Sequence, residues 1–594
     1  MKNIFNSVLI KDVNRNAFDL SHEVKLTTEF NNLVPFLSQE VYPNETWQVT
    51  SEIFARFAPL KAPIMAHVDI KAFFFFVPWR LCWDGWRRFI TDGSNGHPKD
   101  VTPPALPTIS FYHMAGDSGQ DSSDSAIAKK VYENVAKYWV NGSLSDYLGF
   151  PTLNLKVPVK ATEHRQPSHY LGTEERDVIV GKFLETDIDF PLMPFFAYQL
   201  VYDEYFRNPN IQESVLLPWC NKYGDSPTLR DANNFDDSLS ENVWELLKIR
   251  KINWASDYFT TALPYLQRGE PVDIPMVDSK LKFKSEAPTV FRNVNTGDYI
   301  TNSGNLLVDN SVSAVGNQLV AIDNSKNYEI DTTPGNINDL RRAFTLQKWR
   351  EKIARVGTRY IEQIKAHFSQ TSSDARLQRP EFLGGGITPV IISDTEQTSS
   401  GYSQVDLGNG KSSDFISTPQ GTLSGQIHSY GRTNKFRKHF EEHGILLGML
   451  AVVPKPEYQN LYNRQWLRRE PLDFYFPEFQ NLGEQEIKKM ELFTKFGKDA
   501  KQDNESVFGY QQRFSELRFI PPTCHGDFKD TLGYWTMNRR FDKQPALNSE
   551  FLTADANNDI FAYTNDDYHH IWLEIGNNIT AVRPLDKYAI PMFS

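Results

Sequence analysis

The sequence predicts a mainly β protein whose strands are joined by long loops. Three observations carry that expectation. Aromatic residues are abundant, with 41 Phe, 25 Tyr and 12 Trp among 594 residues. Turn formers are also plentiful, with 34 Pro and 33 Gly. Several segments near the N-terminus alternate apolar and polar residues with period 2, as a half-buried strand does.

Residues 17–36 alternate in part and close on a proline. In 46–58, Trp47, Val49, Ile53, Ala55 and Phe57 fall at mostly even spacing. In 64–77, Ile64, Ala66, Val68, Ile70 and Ala72 share one face, with His67, Asp69 and Lys71 on the other. The run Phe73 to Phe76 then covers both faces, which predicts a strand buried on two sides. Pro59, Pro63 and Pro78 punctuate these strands.

Residues 90–160 read as a long loop system with a short helix near 124–139. Short amphipathic helices are expected over 194–207 and 240–250. Residues 276–336 are rich in Asn, Ser, Gly and Thr and poor in aromatics. They read as a solvent-facing β-hairpin insertion, with a disordered linker as the alternative. The strongest helical period follows in 338–368, where Leu346, Trp349, Ile353, Val356, Tyr360, Ile364 and Phe368 recur every three or four residues. Asn338 suits an N-cap and Asp339 the first turn. That stripe predicts a core helix with Trp349 inside it. Residues 376–389 read as a loop, with Gly384, Gly385 and Gly386 in a tight turn. Residues 436–453 return to strand.

Composition narrows the function. The chain carries 63 Lys and Arg against 74 Asp and Glu, a net charge of −11. A surface that coats nucleic acid throughout needs net cation, so only a local basic face is open to it. Charged residues at 23% and hydrophobics at 40% fit a globular chain and not a disordered one. Cys82, Cys220 and Cys524 are unpatterned and suit a reducing compartment. The apolar stretches 72–79 and 445–454 fall well short of the roughly 20 residues a membrane span needs. A soluble protein with no membrane partner is expected.

Catalytic patterns fail on context. His439, Glu442 and His443 satisfy the H-x-x-E-H spacing of a zinc peptidase, which needs a helix to bring both histidines to one ion. Here Gly444 and an apolar strand follow. On a strand the two histidines stand about 13 Å apart, so no metal is expected. Gly410, Lys411 and Ser412 resemble the end of a phosphate loop, but Val405 stands where its first glycine belongs. No nucleophile elbow is present, and 74 acidic residues offer no recognisable catalytic pair. The chain is expected to be no enzyme, with no catalytic residue, cofactor or metal.

Basic and aromatic residues interleave in two clusters, Lys435, Phe436, Arg437 and Lys438, and Arg464, Trp466, Arg468 and Arg469; Arg539, Arg540 and Phe541 form a third. Guanidinium pairs with phosphate and an aromatic face can stack an unpaired base. Solvated surface or ion pairing between subunits is the plainer alternative.

An ordered set of short motifs runs along nearly the whole chain. It begins at Phe18-Asp19-Leu20-Ser21-His22, Arg56 to Pro63, and Phe76-Val77-Pro78-Trp79-Arg80-Leu81. It continues through Tyr205-Phe206-Arg207-Asn208-Pro209-Asn210, Asp257 to Pro264, Leu340-Arg341-Arg342-Ala343-Phe344, and Asp374 to Gly385. It closes with Glu442-His443-Gly444, Asp473-Phe474-Tyr475 and Phe508-Gly509-Tyr510-Gln511. In this order the motifs resemble the major capsid proteins of the microviruses, small single-stranded-DNA phages, in their gokushovirus-like branch.

That resemblance implies a single eight-stranded viral jelly roll with long loop insertions containing several helices. The chain would divide into 1–275 and 337–594, which build the jelly roll, and 276–336, which forms a protrusion at the three-fold axis. A T=1 icosahedral shell of 60 copies would enclose a circular single-stranded DNA genome. Lys435, Arg437, Lys438, Arg464, Trp466, Arg468 and Arg469 would face DNA. Asn295, Tyr299, Asn305, Asn310 and Asn317 would face the host. A small basic DNA-binding protein, a minor pilot protein, a scaffolding protein and a host surface receptor are the implied partners. The implied location is the virion, assembled in the bacterial cytoplasm. A carbohydrate-binding or carbohydrate-cleaving jelly roll is the competing function.

Overall fold

A computed structural model of the chain describes residues 14–91, 105–111, 126–156, 173–186, 188–216, 243–270, 272, 279–283, 291–293, 299–300, 320–322, 328–332, 337–396, 401–406, 412–418, 423–498, 500–556, 558–562 and 569–588. They form two compact units. The main unit is 1–265 with 357–594, and the second is 266–356.

The main unit is built on two antiparallel sheets. Its strands are β1 (Asn16–Asp19), β2 (His22–Thr28), β3 (Val34–Val41), β4 (Glu45–Phe57), β5 (Val68–Pro78), β6 (Glu381–Pro389), β7 (Ile391–Glu396), β8 (Leu423–Arg432), β9 (Phe436–Phe440), β10 (Gly444–Pro454) and β11 (Ile571–Arg583). In sheet 1, β11 pairs with both β1 and β2 on one side and with β4 on the other, and β4 in turn pairs with β8 and β9. β7 extends the sheet beyond β8. Sheet 2 runs β6-β5-β10-β3.

The two sheets share one core. Trp47, Val49, Ile53, Ile571, Leu573 and Ile575 from sheet 1 are buried with Phe36, Ile70, Phe74, Phe76, Leu446 and Leu450 from sheet 2. Phe440 of sheet 1 meets Phe76 of sheet 2 at 4.8 Å between ring centroids. The alternation in 46–58 therefore points as expected, with even-spaced Trp47, Val49, Ile53, Ala55 and Phe57 inward.

The other face of sheet 2 is covered as well. Phe75, Val77, Leu447, Met449 and Ala451 join a second core with the helix-rich loops. The phenylalanine run of β5 thus divides as its sequence requires: Phe74 and Phe76 fill the inter-sheet core, Phe73 and Phe75 the second one. β10 is buried along its whole length. The helices are α1 (Ala126–Tyr138), α2 (Thr173–Leu184) and α3 (Met193–Val201). α3 is buried almost throughout and not amphipathic, and a π turn over Tyr202–Phe206 follows it. Tyr198 Oη donates to the Leu33 carbonyl, 2.8 Å away, and accepts from the Arg250 amide at 3.0 Å. Its hydroxyl is thereby satisfied inside an apolar core.

Several expectations need correction. The period of 338–368 belongs to two helices, α4 (Ile337–Val356) and α5 (Tyr360–Phe368). The break falls at Gly357, whose φ of 106° is open to glycine and strained for other residues. Nor is the stripe a core: Trp349 is 50% exposed, and Phe344, Tyr360 and Phe368 are more exposed still.

Residues 381–389 are strand β6 and not loop. Gly384, Gly385 and Gly386 lie inside that strand and not in a tight turn, because β6 presses so close to β5 that a Cβ at Gly385 would sit 2.3 Å from the Ala72 carbonyl oxygen. Residues 436–453 are two strands in different sheets, β9 and β10, joined by Glu441 to His443. Residues 64–67 precede β5 and are not part of it.

In the second unit, Ser279–Phe283 pairs antiparallel with Tyr328–Thr332, and Phe291–Asn293 lies between Tyr299–Ile300 and Val320–Ile322. α4 belongs to this unit. Asn295, Asn305, Asn310 and Asn317 lie outside the described residues, as does the Gly410-Lys411 stretch. Tyr299 is placed only by its backbone, in the short strand beside Phe291–Asn293.

Candidate functional site

Six of the motifs dispersed along the sequence meet at two junctions. In the first, Tyr205 of the π turn lies between β5 and the segment leading into β6. Its ring packs on Phe75, 4.7 Å between centroids, while the Arg379 guanidinium covers it at 4.3 Å. Tyr205 Oη donates to the Pro380 carbonyl, 2.5 Å away. Burial pushes the Tyr205 phenol up, and Arg379 pulls partly against it. Arg379 in turn stands 3.4 Å from Asp374. Nearby, Arg359 Nη2 donates to the Asp203 and Arg207 carbonyls at 2.8 and 2.9 Å.

Arg80, in the helical turn Trp79–Cys82 that follows β5, completes this junction. Its Nε and Nη2 contact the two oxygens of Glu442 at 2.5 and 3.0 Å, and it also donates to Gln378. Glu442 is thus committed to a guanidinium, not aimed at a metal-bound water. His439 Nδ1 sits 3.0 Å from Thr46 Oγ1, and the His443 ring lies between Tyr42 and Trp86. Gly444 is required there, since a Cβ would meet the Val77 carbonyl oxygen at 2.5 Å.

The second junction joins Asp257 to Pro264 with Phe508 to Gln511. Leu263 and Tyr510 exchange backbone hydrogen bonds at 2.8 Å each, and Gln511 Nε2 donates to Thr261 Oγ1 at 2.9 Å. Asp257 Oδ1 accepts from the Phe259 and Thr260 amides, and its Oδ2 accepts from Tyr458 Oη at 2.5 Å. Arg539 is buried beside it, 4.1 Å from the Phe551 ring and 5.1 Å from Trp254. A guanidinium enclosed by rings is a structural anchor, not a free cation.

The expected DNA-facing residues separate into two kinds. Arg464 is largely buried: burial works against its charge, but Glu491 at 2.8 Å, Tyr258 and Glu516 together outweigh it, so its pKa is raised. Arg468 contacts Glu516 at 3.2 Å and lies over Phe474. Lys438 pairs with Glu381. These three spend their charge inside the subunit. Arg469 is exposed and donates to the Trp466 and Arg468 carbonyls. Lys435 and Arg437 are exposed, Arg437 on the outer face of β9.

Around Arg464 lies an apolar surface. Trp466 is 63% exposed, and Leu472, Phe474, Tyr475, Phe476 and Leu482 follow it within the same irregular segment. The segment is held to the turn at 513–516, where Arg513 donates to the Leu472 carbonyl and Tyr475 meets Phe514 at 5.2 Å. Directly beyond that turn stand Leu517 and Ile520, the latter 83% exposed. So many large apolar side chains in one neighbourhood mark an interaction surface.

The sequence matches the model of the family described as capsid protein (F protein), over residues 7–136 and 128–593. The chain belongs to this capsid-protein family. Curated relatives agree along their full length. The capsid protein VP1 of Bdellovibrio phage phiMH2K is 30% identical, with 97% of this chain and 95% of the relative covered. That of Chlamydia phage 1 is 28% identical, covering 100% and 98%, and that of Spiroplasma virus 4 is 26% identical, covering 97% and 95%. The role is that of a major capsid protein of the microvirus kind, a structural one. Among the described residues of this capsid chain, no helix is long and apolar enough to cross a membrane, and no group of His, Cys, Asp and Glu is arranged to hold a metal. Family membership displaces the carbohydrate alternative.

Pairing across sheets and turns brought these junctions together, and sequence reasoning missed their architecture. Arg80, Arg379 and Glu442 are each unremarkable charges in the sequence. Only their place within the ordered motifs singled them out.

Proposed function

We propose that the chain closes with copies of itself into a T=1 icosahedral shell of 60 subunits around circular single-stranded DNA. The observation that carries this is the full-length family match, and the exposed apolar surface about Trp466 and Ile520 supports it by supplying an area for a neighbouring copy to cover. Many such contacts act at once in a closed shell, so each can be weak.

The sandwich supports a jelly roll in strand order. The chain visits sheet 1 in β2, β4, β8 with β9, and β11, and sheet 2 in β3, β5, β6 and β10. Eight positions, four per sheet, with neighbours β2-β11-β4-β8 and β3-β10-β5-β6, are the pairing of two interlocked Greek keys. In this reading 276–336 is the host-attachment insertion, and a small basic protein, a pilot protein and a scaffolding protein act alongside the shell. The virion forms in the bacterial cytoplasm.

Electron microscopy of nuclease-treated lysates from cells making this chain with its companion viral proteins tests the reading. Uniform closed shells are expected, and a Leu482→Asp, Ile520→Asp double variant should stay folded but yield only small oligomers. If the unaltered chain gives only small oligomers with all companions expressed, the shell reading fails.

A further inference from the structure

The outer face of sheet 1, turned away from both cores, carries an unusual set of side chains in register. Across one row stand Thr27, Trp572, Arg56 and His428; across the next stand Lys25, Glu574, Phe54 and Tyr430. Farther along the same face, Thr580, Gln48 and Arg437 align. Trp572 is 43% exposed and Tyr430 65%. Strand residues of this type normally point inward, so two large exposed rings beside Phe54 on a solvent face call for a ligand. At the end of the strip nearest Trp572, the surface sinks into a concavity of about 670 Å³ that includes Lys25, Phe54, Arg56 and Trp572 in its wall.

The charges on this face are not evenly spent. Glu574 is neutralised by Lys25 at 3.5 Å. Glu52 is engaged by Arg432 at 3.6 Å and by Tyr430 Oη at 3.2 Å. Arg56 stacks on Phe54, 5.3 Å from its centroid, and has no carboxylate partner among the described residues. Arg437 and Lys435, at the far end, likewise have none among them. The face therefore offers exposed π surfaces together with uncommitted cations, spread along β4 from Arg56 to Gln48, roughly 26 Å at 3.3 Å per residue.

We propose that this face is a stacking platform for single-stranded DNA, in which Trp572, Tyr430 and Phe54 receive unpaired bases and Arg56 and Arg437 hold the flanking phosphates. Base–aromatic stacking tolerates any sequence, because every base presents a π face, and a guanidinium set between rings serves stacking and phosphate alike. A duplex, whose bases are already stacked, gains nothing from the rings. The proposal rests on the reading of the chain as a subunit that encloses single-stranded DNA. It moves the principal DNA contacts away from Arg464 and Arg468 and retains Arg437.

The test is titration of the purified full-length chain with fluorescein-labelled oligo(dT), at several salt concentrations and against duplex competitor. The unaltered chain should prefer the single strand. Trp572→Leu with Tyr430→Leu should weaken binding about tenfold or more, while Trp572→Tyr retains it. Arg56→Gln with Arg437→Gln should flatten the plot of log affinity against log salt by about 1.4, or 0.7 for each phosphate no longer neutralised. If the leucine variant misfolds by circular dichroism, the arginine pair and Trp572→Tyr decide the matter alone. Binding unchanged in every variant overturns the platform and leaves the genome-enclosing reading standing. No single-strand binding by the unaltered chain also overturns the platform, whereas only the absence of closed shells in the lysate overturns the enclosing reading. Leucine variants that bind DNA normally but no longer form shells would make this face a contact between copies, and the proposal would be wrong.

Discussion

The Arg379 guanidinium lies over the Tyr205 ring, its carbon 4.3 Å from the ring centroid, and the same tyrosine's hydroxyl donates to the carbonyl of Pro380, the residue after Arg379. Ring and backbone thus clamp the entry to β6 from two sides. Arg379→Ala removes the stacked cation and its pairing with Asp374, and should cost about 2 kcal/mol. Arg379→Lys should recover little, since an ammonium cannot lie flat on the ring. Urea denaturation of the purified chain measures both, and equal stability of all three would show the clamp to be incidental.

Gly385 faces a tighter constraint. A methyl group there points at the Ala72 carbonyl oxygen, which is backbone inside a paired strand and has nowhere to move. Gly385→Ala should separate β6 from β5 and destabilise the main unit by about 1–3 kcal/mol. Gly384→Ala is the informative companion. No atom lies within 4 Å of its Cβ position, so its effect should come only from its positive φ of 143°. A Gly385→Ala chain as stable as the parent would contradict the close approach.

The same glycines show where sequence reading stops. β4 and β5 were legible because each strand's burial is set by its own alternation: Trp47 to Phe57 inward, Phe73 to Phe76 to both sides. β6 was not, since three consecutive glycines read as a turn until the neighbouring strand is known. The basic clusters failed for a related reason. Arg464 and Arg468 look like surface cations beside Trp466, and their carboxylate partners Glu491 and Glu516 lie too far along the chain to be recognised. Trp572, Arg56 and Tyr430 come from three distant strands, so the sequence places them nowhere near one another.

Trp349 tests the weakest sequence inference. Its helical spacing implies a core position, for which truncation to alanine would cost about 3–5 kcal/mol. At 50% exposure it buries too little for that. Trp349→Ala should cost about 1–2 kcal/mol, clearly less than a core truncation, readable as a modest fall in the thermal midpoint. A large drop would place Trp349 in a buried contact and restore the core reading.

Residues 284–327 are bracketed by a paired ladder, in which Phe283 and Tyr328 are direct partners. Replacing the intervening residues with an Asn-Gly turn closes that ladder as a hairpin. In the attachment reading, particles should assemble normally and fail to adsorb to host cells. Failure to form particles instead would make the segment a contact between subunits.

Acid should loosen the sandwich at one identifiable place. His569 lies beside Thr27 at the end of β2, with its Nδ1 3.0 Å from Thr27 Oγ1, and against Gly142. Burial holds its pKa below the ordinary imidazole value, with Glu29 pulling partly the other way. The folded chain therefore keeps His569 neutral where the unfolded chain protonates it. Its contribution is complete above about pH 6.5 and declines as the pH falls from there toward the lower folded value. Stability measured by urea titration should fall between pH 7 and 5 more steeply in the parent than in His569→Gln, which has no proton to take up. Parallel profiles for the two chains would assign the acid sensitivity to other groups, with the His570–Glu29 contact at 2.8 Å the next to examine.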